Sequence, residues 1–339
     1  MPYPRFLAAG LLLAGLATAA MPPESRLTPD LPTQGNFFAP TTRPTAVFTG
    51  GIGTVCEGPA VAPDGRVFFT DVTADDMGGL LWVYEPATGQ TRQGRQPSGN
   101  ASGLAFDAAG HLVVAEGPNR GGGKRLSRLD VATGQATLLA DHFEGRPLNG
   151  PNDLALDAQG RVYFTDSRYG STEPLTLPWM GVYRVAPGGP VELLAADLTR
   201  PNGLVFSPDR RTLYVGSYDA PGVGIYGPLP ADYAGPAPQS GGELRAYEVL
   251  PDGRLAAGRT LVRFTGEGPD GLTVDAAGNL YAAVASRLVV YSPQGTRLAE
   301  MPMPVKTTNV CFGHGPYRHT LYITAAKGLY TLPTVQAGE

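Results

Sequence analysis

Short apolar segments recur along the chain, and turns rich in glycine, proline or aspartate separate them. In PNDLALDAQGRVYFTD, residues 151–166, one apolar run is followed by a turn and then by a run of β-branched and aromatic residues. This pattern predicts a β-hairpin. The hairpin itself requires neither Asn152 nor Asp153, which stand directly before its first strand.

The same unit occurs six times, roughly every 40 to 70 residues, and a second hairpin follows most copies. Two hairpins make a four-stranded antiparallel sheet, which is one blade of a β-propeller. The sequence therefore predicts an all-β fold, a six-bladed β-propeller of four-stranded antiparallel blades. Aligned by their turns, the six copies begin at Glu57, Ser102, Asn152, Asn202, Asp270 and Thr308.

The two ends of the repeat array predict how the ring closes. The sixth copy is followed only by GLYTLPTV, which leaves its blade one strand short, whereas TAVFTGG at residues 45–51 has no hairpin partner. We expect this N-terminal strand to complete the last blade, since closure removes an exposed sheet edge. Residues 219–242, rich in proline and glycine, predict a surface excursion within the fourth blade, either a lid or a passive insertion.

The N-terminus has the pattern of an export signal. Arg5 precedes an apolar run, and small residues follow it, so residues 1–20 are predicted to be a signal peptide cleaved near Ala19–Ala20. The run is too short to span a bilayer. We expect an exported protein, periplasmic or secreted, with an N-terminal extension at 21–44 and one propeller at 45–339, and no membrane association after cleavage.

Composition agrees with this picture and narrows the partners. The 339 residues include 46 glycines and 33 prolines spread along the chain, which indicates many tight turns. A net charge of −4 favours a small-molecule ligand over nucleic acid; the oligomeric state is not indicated. Cys56 and Cys311 could pair as a disulfide, although the positions of the two residues along their strands differ by roughly 13 Å.

The residues that begin the six units all carry a side-chain oxygen. Equivalent positions on innermost strands converge on the axis of a propeller, so these side chains should form a ring. Glu57 and Asp270 are carboxylates, and Asn152 and Asn202 are carboxamides. This set suits one hard divalent cation, with Ca²⁺ preferred and Mn²⁺, Mg²⁺ or Zn²⁺ as alternatives. Without an ion, two crowded negative charges would repel each other.

The next position differs in one unit. Asp153 follows Asn152, where four units have glycine and the last has Asn309. A carboxylate there suggests support of the ring or proton handling, with a hydrogen bond to neighbouring backbone as the structural alternative. We expect Asp270, and as a second candidate Asp153, to act as the catalytic carboxylate.

Three further residues are candidates for substrate contact. Ser102 and Thr308 occupy the remaining ring positions, and a spacer role is the alternative for both. His314 falls near the end of an inner strand, where the alternative is a loop histidine.

Five phrases carry a resemblance to a known family. The chain resembles the senescence marker protein 30, gluconolactonase and luciferin-regenerating enzyme family over about residues 45 to 333. The phrases are EGPAVAPDGRVFFTD, RPLNGPNDLALDAQGRVYFTDSRYG, RPNGLVFSPDRRTLYVGSYD, GPDGLTVDAAGNLYAAV and TTNVCFG. Members are six-bladed calcium propellers, and by resemblance Glu57, Asn152 in PND, Asn202 in PNG and Asp270 in PDG hold the catalytic ion.

The resemblance implies a calcium-dependent, gluconolactonase-like hydrolase that opens a lactone ring. The metal polarises the carbonyl and a carboxylate activates water. Related propellers, diisopropylfluorophosphatase and the paraoxonases, make a phosphotriesterase or arylesterase one alternative. A non-enzymatic binding module with a structural ion is another. Sugar-lactone members often carry an arginine close before PND, whereas this chain has Gly150 directly before the proline.

Overall fold

The computed structural model describes residues 34–118, 121–169, 171, 173–219, 229–237 and 241–338. The first described elements are a 3-10 helix, Gln34–Asn36, and strand β1, Thr45–Phe48. The expected signal peptide at 1–20, and residues 21–33 of the expected extension, lie outside this part of the chain. No helix in the described ranges is long and apolar enough to cross a membrane.

Four consecutive strands form each of the first two blades. They are β2 (Val55–Val61), β3 (Val67–Val72), β4 (Leu80–Glu85), β5 (Gln90–Arg95), β6 (Ala101–Phe106), β7 (Leu112–Glu116), β8 (Arg125–Leu129) and β9 (Ala136–Ala140). A two-stranded hairpin follows, made of β10 (His142–Phe143) and β11 (Arg146–Pro147).

The third, fourth and fifth blades repeat this order. Their strands are β12 (Pro151–Leu156), β13 (Val162–Asp166), β14 (Gly181–Val185), β15 (Val191–Ala195), β16 (Pro201–Phe206), β17 (Thr212–Ser217), β18 (Glu243–Glu248), β19 (Arg259–Arg263), β20 (Leu272–Val274), β21 (Leu280–Val284), β22 (Arg287–Tyr291) and β23 (Arg297–Pro302). Within each blade, neighbouring strands pair antiparallel in chain order.

The sixth blade joins the two ends of the repeat array. It contains β24 (Thr307–Phe312), β25 (Thr320–Ala325) and β26 (Gly328–Pro333), with a short 3-10 helix at Gly315–Tyr317. Strand β1 pairs antiparallel with β26, so the sheet order is β1-β26-β25-β24. The predicted six-bladed propeller, closed by an N-terminal strand, is confirmed.

Aromatic and aliphatic side chains fill the spaces between blades, because the faces of adjacent sheets pack against each other. Tyr163 of the third blade meets Phe206 of the fourth edge-to-face, with ring centroids 4.9 Å apart. Phe37 and Phe38, which precede the expected propeller boundary at residue 45, are buried against Tyr281.

Two features that the sequence left open are partly resolved. Cys56 and Cys311 are free thiols in one apolar cluster, so the disulfide is absent. In the predicted excursion at 219–242, residues 229–237 contact the third blade: Ala234 N donates to Pro178 O at 2.6 Å. Residues 220–228 and 238–240 lie outside the described part, and the lid interpretation stays untested.

Candidate metal centre and active site

A cavity of about 480 Å³ opens at the end of the ring where the innermost strands begin. All six residues that begin the repeats line it, namely Glu57, Ser102, Asn152, Asn202, Asp270 and Thr308. They come from six different blades and from distant parts of the sequence. The propeller brings them together because each stands at the start of its innermost strand, with Asp270 two residues before β20.

Backbone hydrogen bonds between adjacent blades fix this register. Gly203 N donates to Asp270 O at 2.8 Å, and Gly271 N donates to Thr308 O at 2.7 Å. These bonds run from the residue after one ring position to the carbonyl group of the next ring position. The ring residues are thus held by main chain, which is stiffer than a side-chain contact.

Threonine hydroxyls on the second strands add further links. Thr70 Oγ1 donates to Ser102 O at 3.1 Å, and Thr165 Oγ1 donates to Asn202 O at 2.8 Å. Each hydroxyl reaches the ring residue of the following blade. The repeated FTD segments at 69–71 and 164–166 therefore have a structural reason for their threonine.

The aspartate of each FTD segment holds the loop before the innermost strand. Asp166 accepts hydrogen bonds from the backbone N–H groups of Asn149 and Gly150 at 2.9 and 2.7 Å. Asp71 accepts from Ile52 and Gly53 in the same way, at 2.8 and 3.0 Å. These carboxylates satisfy backbone donors and do not line the cavity.

Burial and repulsion raise the pKa values of the two cavity carboxylates. Burial has the larger effect on Glu57, and the charges of Asp270 and Asp153 raise its pKa further, to well above the ordinary value. Burial also raises the pKa of Asp270 to about 8, although the charge of Lys306 opposes the shift. A cation between them would relieve this repulsion and favour both ionised forms.

The donor set fits a hard divalent cation. Two carboxylates and two carboxamides supply oxygen ligands, as Ca²⁺ prefers. Within the described residues, no group of three or more histidine, cysteine, aspartate or glutamate side chains is arranged to hold a metal. The oxygen-rich ring therefore depends on its amide members, Asn152 and Asn202, as much as on its carboxylates.

Asp153 lies on the propeller axis behind the cavity wall and does not line the cavity. Its Oδ2 accepts from Asn309 Nδ2 at 3.2 Å, and its Oδ1 accepts from Leu154 N at 2.9 Å. The two side chains come from opposite blades and meet across the axis. A supporting role for Asp153 agrees with this position better than contact with substrate does.

The three candidates for substrate contact differ in their position relative to the cavity. Ser102 lines the cavity. Thr308 also lines it, but its hydroxyl donates to Cys56 O at 2.7 Å, so it serves the backbone. His314 does not line the cavity; it is exposed beyond the other end of β24, before the 3-10 helix. The expectation for His314 fails because an innermost strand has two ends and only the first faces this cavity.

The family profile described as SMP-30/Gluconolactonase/LRE-like region matches residues 55–228 and 236–327. The chain belongs to this family. The match spans strands of all six blades and contains every ring residue from Glu57 to Thr308. The family assignment and the geometry of the cavity therefore rest on the same segments.

Relatives within the SMP-30/gluconolactonase family support the assignment. A gluconolactonase of Zymomonas mobilis is 30% identical over 266 residues, which cover 73% of this chain and 66% of that protein, just under two thirds of its length. A solved gluconolactonase structure from Xanthomonas campestris has a TM-score of 0.72 and 28% identity, covering 88% of this chain and 92% of that chain. Agrobacterium tumefaciens regucalcin, with a TM-score of 0.67 and 21% identity, shows the shared fold.

The cavity residues that reasoning from the sequence missed include Tyr169, Tyr218 and Lys306. A register rule would have found two of them. The residue directly after the second strand lines the cavity in four blades, as Tyr218 does after β17, and in the first blade Val72, the last residue of β3, lines it. Lys306 stands two places before the ring position Thr308, as Asn100 stands before Ser102.

Proposed function

We propose that this protein is a divalent-metal-dependent lactonase that hydrolyses aldonolactones. The observation that carries the proposal is the convergence of Glu57, Asn152, Asn202 and Asp270 on one cavity, in a chain whose family relatives include gluconolactonases. A volume of about 480 Å³ accommodates a monosaccharide-sized ring.

The same four side chains would hold the cation, with Ca²⁺ as the preferred ion because all donors are oxygens. A bound divalent ion supplies Lewis acidity, which polarises an ester carbonyl and stabilises developing negative charge. The Asn202 side chain lies close enough to Asp270 and Tyr169 to lower the pKa of both groups, against the larger rise that burial causes.

Asp270 is the residue that we propose to accept the proton of the attacking water. It lines the cavity, whereas Asp153 does not line it and accepts a hydrogen bond from Asn309. The water oxygen bonds to the carbonyl carbon, the ring C–O bond breaks, and the departing ring oxygen receives a proton. The product is an open-chain hydroxy acid, and no covalent enzyme intermediate is needed.

The first prediction concerns the ring residues. Asp270→Ala and Asn202→Ala should each lower kcat/KM for D-glucono-δ-lactone by more than about 100-fold, because each removes an oxygen ligand. Calorimetric titration with Ca²⁺ should show weakened binding in both variants. His314→Ala, outside the cavity, is the control and should keep wild-type values. Full activity with lost ion binding in either ring variant would contradict the mechanism.

The choice of substrate and metal is tested on the wild-type protein. Hydrolysis of aldonolactones, an aromatic lactone and a phosphotriester is measured after chelation and after adding back Ca²⁺, Mn²⁺ or Zn²⁺. We expect aldonolactones to be the preferred substrates and Ca²⁺ to restore activity. Preference for the phosphotriester would replace the lactonase proposal, and ion binding without hydrolysis of any ester would indicate a binding module.

We also propose export of the protein, from the signal-like pattern around Arg5 and Ala19–Ala20. Expression of the full chain in a bacterium, followed by N-terminal sequencing of periplasmic and cytoplasmic fractions, tests this. Mature protein beginning at or near residue 21 in the periplasm supports it. Full-length protein confined to the cytoplasm contradicts it.

A further inference from the structure

One side of the cavity is built from two tyrosines and a lysine, none of which is a ring residue. Tyr169 and Tyr218 pack edge-to-face with ring centroids 6.1 Å apart. Both side chains, and Lys306, line the cavity. We call Tyr169, Tyr218 and Lys306 the tyrosine–lysine wall.

Hydrogen bonds hold Lys306 at the edge of this wall. Its Nζ donates to Tyr218 Oη at 2.5 Å and to Glu267 Oε1 at 2.9 Å. Nζ lies 5.1 Å from the Tyr218 ring centroid. This is close to the distance expected when the N···O hydrogen bond continues the line of the tyrosine C–O bond. The ammonium group is therefore beyond the hydroxyl rather than above the ring.

Glu267 balances the charge of Lys306, and one N–H donor of Lys306 remains. A lysine ammonium has three N–H donors, and Tyr218 and Glu267 use two. Burial lowers the pKa of Lys306, but the hydrogen bonds to Tyr218 and Glu267 outweigh it and raise the pKa to about 12, so the group stays protonated. Among the residues that line the cavity, Lys306 is the cationic side chain.

The other end of the wall is stiffened by Arg200. Its Cζ lies 5.3 Å from the Tyr169 ring centroid, and the Tyr169 hydroxyl donates to Arg200 O at 2.9 Å. Arg200 is almost fully buried and does not line the cavity. Tyr169 is thus held from behind, which suits a surface that receives a flat or ring-shaped ligand.

We propose that the tyrosine–lysine wall recognises the hydroxyl groups of the lactone ring. Lys306 donates a hydrogen bond to a substrate hydroxyl, and the two tyrosines pack against the apolar C–H face of the lactone. This inference rests on the proposed lactonase function and names its specificity residues. A neutral hydroxyl fits better than a second carboxylate, because Glu267 already neutralises Lys306. A site built to donate to a hydroxyl discriminates against an analogue that lacks it.

Two lactones with the same six-membered ring test the proposal: D-glucono-δ-lactone, which carries hydroxyls, and δ-valerolactone, which carries none. Lys306→Met should lower kcat/KM for the first by about 30-fold, mainly through KM, and change the second by less than about twofold. Tyr218→Phe should give a smaller loss with the same selectivity. Lys306→Arg should retain most of the discrimination.

The matched control is Lys124→Met, since Lys124 is also ion-paired, with Glu173, but lies outside the cavity. It should behave as wild type with both lactones. Equal losses on both substrates in Lys306→Met, or no loss on either, would overturn the proposal.

A binding measurement separates this inference from the proposed function. Calorimetric titration with D-glucono-δ-lactam, a ring analogue that resists hydrolysis, needs no turnover. Weaker binding to Lys306→Met than to wild type supports the wall even if no lactone is hydrolysed. Absence of binding to the wild type, or equal binding to both proteins, overturns it.

Discussion

Asp166 is fully buried and Asp270 is partly buried, and the two carboxylates face different surroundings. Asp270 faces the cavity and the Lys306 charge. Asp166 accepts hydrogen bonds from two backbone N–H groups and does not line the cavity. Burial nevertheless raises the pKa of Asp166 to about 6, because the hydrogen bonds offset only part of the cost of burying its charge.

This shift predicts a pH dependence of stability. The folded protein binds the Asp166 proton more tightly than the unfolded chain does, so the contribution to stability is complete below about pH 4 and is lost as pH rises through about 6. The loss is on the order of 3 kcal/mol. Urea unfolding of wild type and Asp166→Asn from pH 4 to 7 should show wild type losing stability relative to the variant.

Asp130 supplies the control for that measurement. It is exposed, and backbone hydrogen bonds, chiefly from Ala132, lower its pKa. From pH 4 to 7 the relative stability of wild type and Asp130→Asn should therefore stay nearly constant, because a lowered pKa places the loss of the wild-type advantage below this range. The same slope in both comparisons would show that Asp166 does not cause the effect.

At the scale of the strand, close packing of the innermost strands limits the residue after each ring position. Only two of these positions carry a side chain, Asp153 and Asn309, and these meet on the axis. The other four are glycines: Gly58, Gly103, Gly203 and Gly271. A Cβ at Gly203 would lie 2.3 Å from Asp270 O, and a Cβ at Gly103 would lie 2.5 Å from Asp153 Oδ1.

Gly203→Ala should therefore destabilise the protein by roughly 3 kcal/mol or prevent folding, because the clashing atom is backbone and cannot move away. Chemical denaturation measures the change. Gly35→Ala, where a Cβ would meet nothing within 4 Å, is the control and should be near neutral. A stable Gly203→Ala protein with unchanged ion binding would contradict the close approach of β16 and the fifth blade.

For the whole molecule, closure of the ring depends on one short strand. Thr45 and Ala46 of β1 pair with Thr331 and Tyr330 of β26. Phe48 packs on Phe69 and Trp82 of the first blade, with ring centroids 5.4 and 4.9 Å apart. This strand therefore covers the edge of the sixth blade and joins it to the first.

A chain that begins at residue 51 should have a lower Tm than the full chain and should self-associate, since the edge of β26 is then free to pair with another copy. Thermal unfolding and sedimentation velocity measure both effects. A chain that begins at residue 34 keeps β1 and the packing of Phe37 and Phe38, and it is the control. Equal Tm values and monomeric behaviour for both truncations would mean that closure contributes little.

Much of the architecture was predictable because it repeats. Six aligned turns predict six blades, and the unpaired segment at 45–51 predicts the closing strand. The ring position follows from the same register, so the sequence alone identifies Glu57, Asn152, Asn202 and Asp270. His314 shows the limit of this reasoning, because its position along the chain did not indicate which end of the propeller it faces.

The amino-acid sequence by itself determined the number of blades, their order and the oxygen-bearing residue that begins each one, because these depend on local periodicity. Only the tertiary structure decided which side chains share the cavity. The pairing of Asp153 with Asn309 and the contact of Tyr218 with Lys306 join residues far apart in sequence. Such contacts depend on how blades pack around the axis, and no single repeat encodes that packing.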